Sequence, residues 1–184
     1  MVNLYFTLVK VNMIDINFQP FPKLITERLY LRQLKVSDAN EIFLLRSNDS
    51  VNAFINRQKA ASVVEADAFI TRISTMQANN EAIMWAIVRK GFDQLIGTIG
   101  IWNFEIENAQ AEIGFEMLPQ HQGNGLMFEA LTSTINFAFK NLLLDRIVAN
   151  ARQDNQRSIK LLEKCSFIKS DERDGEYISY KLLR

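Results

Sequence analysis

The sequence predicts an α/β protein, in which a central sheet of six to seven strands of mixed direction carries about four helices on its faces. Three observations point there. Some segments alternate apolar and polar residues with period two, as half-buried strands do. Others repeat apolar residues at helical spacing. The two kinds interleave along the chain with no internal repeat, no low-complexity tract and no linker rich in Pro, Gly or Ser, which favours one mixed sheet over separate halves.

The elements follow in order. Residues 1–25 read as an N-terminal extension, an added strand or arm in which Met13 could be the initiator, and residues 26–184 as a single domain. "LYLRQL" (Leu29 to Leu34) alternates as a strand, and "SDANEIFLLR" offers Ser37 as N-cap of a short helix. From Ser62 to about Gln77, Val63, Ala66, Phe69, Ile70, Ile73 and Met76 mark a second helix. "AIMWAIVRK" and "QLIGTIGIWNF" read as strands joined through the turn residues "GFDQ", and "QAEIGFEML" continues the sheet. Met127, Ala130, Leu131, Thr134, Ile135 and Ala138 form one face of a helix ending near Asn141, and "RIVANA" is strand-like. Asp154 can cap a helix carrying the pairs Ile159, Leu162 and Leu161, Cys165, and one or two strands around "RDGE" close the chain.

Composition narrows the function. The 184 residues are 48% hydrophobic and 23% charged, as expected of a folded soluble protein of one domain. Its 21 basic and 21 acidic side chains cancel without like-charge blocks, so neither nucleic acid nor another large polyanion is an expected partner. One Cys and one His cannot assemble a zinc site, and no metal is expected. The apolar start "MVNLYFTLV" is too short to span a bilayer and lacks a cleavage site, so the expectation is a cytoplasmic protein without membrane contact.

"AEIGFEMLPQHQGNGLMFEAL", Ala111 to Leu131, carries the chemistry. It runs from strand through a glycine loop into a helix. Such a helix start leaves backbone N–H groups unpaired at the positive end of the dipole, an anion cradle. Glycines at 123 and 125 permit positive φ and remove Cβ atoms that would keep a phosphate away. A P-loop would need Lys-Ser/Thr where Leu126-Met127 stand, and a dinucleotide fingerprint a third small residue where Phe128 stands.

With "TERLYLRQL", "LIGTIGIW" and "NQRSIKLLEKCSF" present in order around that segment, the chain resembles the GNAT superfamily of acyl-CoA-dependent N-acetyltransferases, most closely the branch similar to the ribosomal-protein N-terminal acetyltransferases. The resemblance covers about Thr26 to Leu182 and implies a mostly antiparallel GNAT-like sheet with acetyl-CoA as acetyl donor. The strand edge at Glu116 to Leu118 would hold the pantetheine arm. The amides of Gln122, Gly123, Asn124, Gly125, Leu126 and Met127 would hold the pyrophosphate. Asn155 matches a family Asn that contacts the cofactor.

The implied reaction moves an acetyl group to a primary amine, on a protein N-terminus or a small molecule, by direct attack in a ternary complex. It needs an unprotonated amine, donors for the oxyanion and a proton for the departing thiolate. Glu112 and Glu116, two residues either side of Gly114 on one face of the cofactor strand, are the candidate bases. Backbone N–H of Met117 and Leu118 would face the oxyanion. Many superfamily members place Tyr where Leu162 stands and Gly where Ser166 stands; Ser158 is the substitute acid here, with water as the alternative. Those departures also admit a CoA-binding sensor or interaction module without turnover. The identity of the acceptor and the oligomeric state, a homodimer included, stay open. His121 is expected to be a solvated loop residue and Cys165 an apolar helix position. Trp85, Trp102 and Phe104 are expected to pack on the sheet or wall an acceptor pocket.

Overall fold

The computed structural model describes residues 16–184. The chain runs through β1 (Leu24–Ile25), β2 (Leu29–Gln33), α1 (Ala39–Ser47), α2 (Asp49–Asn52), α3 (Val63–Ala78), β3 (Ile83–Arg89), β4 (Leu95–Glu105) and β5 (Gln110–Met117). It continues through α4 (Leu126–Lys140), β6 (Arg146–Arg152), α5 (Gln156–Lys164), β7 (Ile168–Asp174) and β8 (Tyr177–Leu183). The eight strands among the described residues form one sheet in the order β1-β2-β3-β4-β5-β6-β8-β7. Every neighbouring pair is antiparallel except β5 with β6. The mixed, mostly antiparallel α/β architecture is therefore as expected, with eight strands rather than six to seven. The additional strand, β1, has two residues, too few to carry a hydropathy period.

Each face of the sheet buries its own apolar layer. One holds Trp85, Ile99, Ile113 and Ile147 against Ala130, Leu131 and Phe137 of α4 and Ile159 and Leu162 of α5. The other holds Ala86 and Leu95 against Ile42 of α1 and Ala66, Phe69, Ile70 and Ile73 of α3. The spacing predicted for α3 and α4 is thus the spacing of their buried faces, and burying such stripes is what stabilises helices of this length. Phe18 is fully buried in the first layer beside Phe104. Of the expected N-terminal extension, residues 1–25, residues 1–15 lie outside the described residues, and Met13 with them. No helix among the described residues is long and apolar enough to cross a membrane.

Two helix starts differ from expectation. Ser37 lies inside a 3₁₀ turn, and Asp38 precedes α1. The Asp38 carboxylate accepts from the Lys35 amide at 2.8 Å and from both terminal nitrogens of Arg32 at 2.7 Å, so it anchors the loop to β2. At α5 the cap is Asn155, whose side-chain oxygen accepts from the Ser158 amide at 3.1 Å, while Asp154 pairs with the Arg152 guanidinium. Both residues are good cap formers, and Arg152 claims the first of them.

The pairing of β5 decides where a site can form. Its register with β4 runs to Gly97 opposite Met117, but with β6 it runs only from Gln110 opposite Arg146 to Glu112 opposite Val148. Beyond Glu112 the two parallel strands part, and the edge of β5 facing β6 is left without a strand partner.

At the end of α5, the Phe167 amide donates to the Leu162 carbonyl at 3.0 Å and the Ser166 amide to the Glu163 carbonyl at 2.9 Å. This double reversal requires a left-handed residue at Ser166, whose φ is 66°. A side chain there costs about 1 kcal/mol relative to glycine. Ser166→Gly is expected to raise the melting temperature by about 2–4 °C in a thermal unfolding scan.

Candidate functional site

The loop from Pro119 to Gly125 turns β5 into α4. Gly123 has φ 81° and Gly125 φ 73°, and a Cβ at either would meet no backbone atom within 4 Å. Gly125 is the N-cap and contributes no side chain, so the first amides of α4 are left to face whatever lies in front of them. The strand, glycine loop and helix start read from the sequence are all present.

Its rigidity comes from the far edge of the sheet. Glu129, in the first turn of α4, accepts from the Thr26 hydroxyl at 2.5 Å, from the Arg28 amide at 2.7 Å and from Arg28 Nε at 2.6 Å. Arg28 also donates through Nη1 to the Asn124 carbonyl at 3.0 Å. One arginine thus fixes both the loop and the helix that follows it. Burial works against the charge on Glu129, but the bonds from Thr26 and Arg28 outweigh it and hold the carboxyl below its usual range.

A cleft of about 630 Å³ lies in front of this helix start, lined by Phe115, Met117, Gln122, Gly123, Gly125, Met127, Asn155 and Ser158. Arg157, Lys160 and Lys164 line its α5 side. Arg157 donates to the Gln122 side-chain oxygen at 3.1 Å, and Gln122 donates in turn to the Met117 carbonyl at 2.7 Å. Of the residues expected near a cofactor, Leu118 packs instead with Leu45 and Val51, Leu126 turns its side chain into the core, and Asn124 offers its carbonyl to Arg28. His121 lies in a 3₁₀ turn and does not line this cleft, and burial followed by the charge of Arg89 lowers its pKa. Cys165 is half-buried, and burial raises its thiol above the usual value.

Backbone register identifies the free donors. The Leu118 amide donates to the Ile96 carbonyl at 2.9 Å, so it is not available as an oxyanion donor. Antiparallel pairs alternate between bonded and non-bonded, and the Leu118–Ile96 pair is bonded, so Met117 and Phe115 direct their N–H and C=O groups away from β4 into the cleft. Of the two amides expected to face an oxyanion, only that of Met117 is free.

A second cavity of about 380 Å³ meets the first at Phe54, Ile55, Phe115, Glu116, Asn155 and Ser158, and it contains both Glu112 and Glu116. The two carboxylates share a face of β5, with Gly114 between them covered by the Trp102 ring; a Cβ at 114 would fall 2.3 Å from that ring. Trp102 walls the cavity, whereas Trp85 is fully buried on the opposite face and Phe104 packs on Phe18. Glu116 accepts from Arg57 Nη2 at 2.5 Å and from the Thr98 hydroxyl at 3.3 Å. Among the described residues Glu112 accepts only from neutral amides, Asn103 at 2.9 Å and Asn150 at 3.2 Å. Leu162, 1% exposed, lines the same cavity and offers no proton.

Sequence reasoning missed Arg28, Glu129, Arg57 and Arg46. Arg28, Glu129 and Arg57 meet partners distant in the chain, Arg46 stacks on Phe69, and only "TERL" flanking β2 hinted at the first.

Comparison with known proteins bears on the family and the fold. The family model described as an acetyltransferase (GNAT) domain matches residues 28–168. The protein of Bacillus subtilis (strain 168) named uncharacterized N-acetyltransferase YoaA is 36% identical over 149 residues, 81% of this chain and 84% of that protein. The crystal structure of ribosomal-protein-S5-alanine acetyltransferase from Vibrio fischeri superposes with a TM-score of 0.78 at 22% identity, covering 88% of this chain and 96% of its own. That of RimL, a ribosomal L7/L12 α-N-protein acetyltransferase in complex with coenzyme A, gives 0.76 at 20% identity, with 88% and 98% covered. These two share the fold.

Removing the Glu129 brace should loosen the loop. Glu129→Ala is expected to cost about 2 kcal/mol, or about 4–8 °C in melting temperature for a chain of this size. Because the carboxyl titrates below its unfolded value, its contribution is complete above the ordinary glutamate range and fades as pH falls through the lower folded value. The gap between wild type and Glu129→Gln should therefore narrow on acidification from pH 7 to pH 3.

Proposed function

The chain belongs to the GNAT acetyltransferase family, and on that premise we propose that it transfers an acetyl group from acetyl-CoA to a primary amine by direct attack within a ternary complex. The observation that carries this reading is the parting of β5 and β6, which puts the free amide of Met117 between an uncapped helix start and a carboxylate-bearing cavity. Acetyl-CoA would supply the thioester. The amides at the start of α4 fit its pyrophosphate, and Arg157, Lys160 and Lys164 add positive charge on the same side of the cleft. Phe115 and Met117 offer a strand edge for the amide groups of the pantetheine arm.

In this reading the Met117 amide donates to the carbonyl oxygen as negative charge develops there. Glu112 takes the proton from the acceptor ammonium, directly or through water. We favour it over Glu116 because Glu116 would have to give up a charge-assisted bond from Arg57, whereas the hydrogen bonds to Glu112 among the described residues come from neutral amides. Glu116 then serves to hold the loop that bears Arg57 against the cavity. Ser158, at the junction of the two cavities, or water returns a proton to the thiolate. Cys165 is unsuited to carry the acetyl group, since burial keeps its thiol protonated. Protein N-terminus and small-molecule amine both remain within this reading. A second reading, a CoA-binding sensor or interaction module without turnover, draws on the apolar Leu162 where many superfamily members have Tyr.

Calorimetry is expected to show acetyl-CoA binding, and thiol release with an amine panel should give intersecting initial-velocity lines. Parallel lines would exclude direct attack, and binding with no release would favour the sensor. Glu112→Gln should lower kcat by on the order of 100-fold with acetyl-CoA affinity unchanged; unaltered kcat would remove Glu112 as base.

A further inference from the structure

Arg46, in the last turn of α1, points its guanidinium into the cavity that holds Glu112 and Glu116. It lies 4.0 Å from the centre of the Phe69 ring, and among the described residues it has neither an ion-pair nor a side-chain hydrogen-bond partner. Glu116, whose charge favours the ionised guanidinium, is already bonded to Arg57. Arg57 and Arg72 add further positive charge around it, and desolvation followed by these neighbours lowers its pKa to about 10. The helix end supplies only partial negative charge. A half-buried guanidinium with its planar fork free is an arrangement that a carboxylate completes with two parallel hydrogen bonds.

We infer that the acceptor is an amine bearing a carboxylate, which Arg46 receives while its amine lies toward Glu112. The inference rests on the acetyl-transfer reading and names the substrate class for that site. Phe54, Ile55, Trp102 and Phe115 give the cavity apolar walls beside polar ones from Thr98 and Asn150, and a volume of about 380 Å³ suits a molecule the size of an amino acid with an apolar or aromatic side chain. A neutral or cationic amine would leave Arg46 desolvated and unpaired in the complex, a cost that such an acceptor has no group to offset. The same site therefore discriminates against amines that lack the anion.

The test compares apolar and aromatic L-amino acids with their carboxamides and their decarboxylated amines as acceptors, by thiol release from acetyl-CoA. The amino acids should exceed both analogues in kcat/KM by on the order of 100-fold. Arg46→Met should abolish that preference and Arg46→Lys retain part of it. In parallel, calorimetry on the protein saturated with CoA should detect the N-acetyl amino acids and not the N-acetyl amines. A preference below tenfold, its persistence in Arg46→Met, or neither turnover nor binding of any carboxylate-bearing member overturns the inference. Failure of acetyl-CoA itself to bind would instead bring down the transfer reading on which it rests.

Discussion

Two parallel strands that share only three register positions set the terms for this protein. Where β5 and β6 part, backbone groups of Phe115 and Met117 lose the neighbour that a continuous sheet would provide. The Gln122 side chain meets the Met117 carbonyl, and because backbone donors and acceptors do not stay buried without partners, the other groups of this edge must be met by water or by a ligand that is itself built of amides and oxygens. The remaining architecture surrounds that opening. β4 closes one side of β5, α4 starts below it, α5 borders it, and the loop after α2 covers it with Phe54, Ile55 and Arg57.

Charge is partitioned across the opening despite a chain whose formal charges sum to zero. The side facing α4 and α5 is cationic and rich in unpaired amides, suited to phosphates. The side facing α1 and α3 holds two carboxylates and three arginines among aromatic walls, and among the described residues only Arg57 and Glu116 pair within it. Net charge could not have reported this separation, because it arises from which residues meet rather than from how many there are.

Legibility of the sequence followed the range of the interactions. The helices α3 and α4 were readable because a buried stripe repeats every turn, and Gly123 and Gly125 because their backbone conformation disfavours any side chain. Segment resemblance pointed to the strand and loop around the cofactor, and the family match supports the same fold. The cap of α5 was misread by one residue, since the choice between Asp154 and Asn155 depends on Arg152, whose side chain draws Asp154 away. The expectation that Leu118 offers a free amide failed for a different reason: the alternation of the β4–β5 ladder depends on register, which hydropathy does not encode. Thr26 and Arg28 meet Glu129 across a sequence separation of about a hundred residues, and nothing in one sequence marks such a meeting. Arg46 resembled any arginine on an amphipathic helix until Phe69 and Arg57 were seen beside it.

The brace at Arg28 joins two regions that otherwise have little to do with each other. Thr26 and Arg28 lie between the first two strands, at the edge of the sheet, while their partners Asn124 and Glu129 frame the cradle. Fraying of that edge would release the loop, and a ligand that requires the ordered loop must by reciprocity suppress the fraying. A ligand in the cleft would thereby slow hydrogen exchange in the peptide around Leu24 to Leu29, which does not line the cleft.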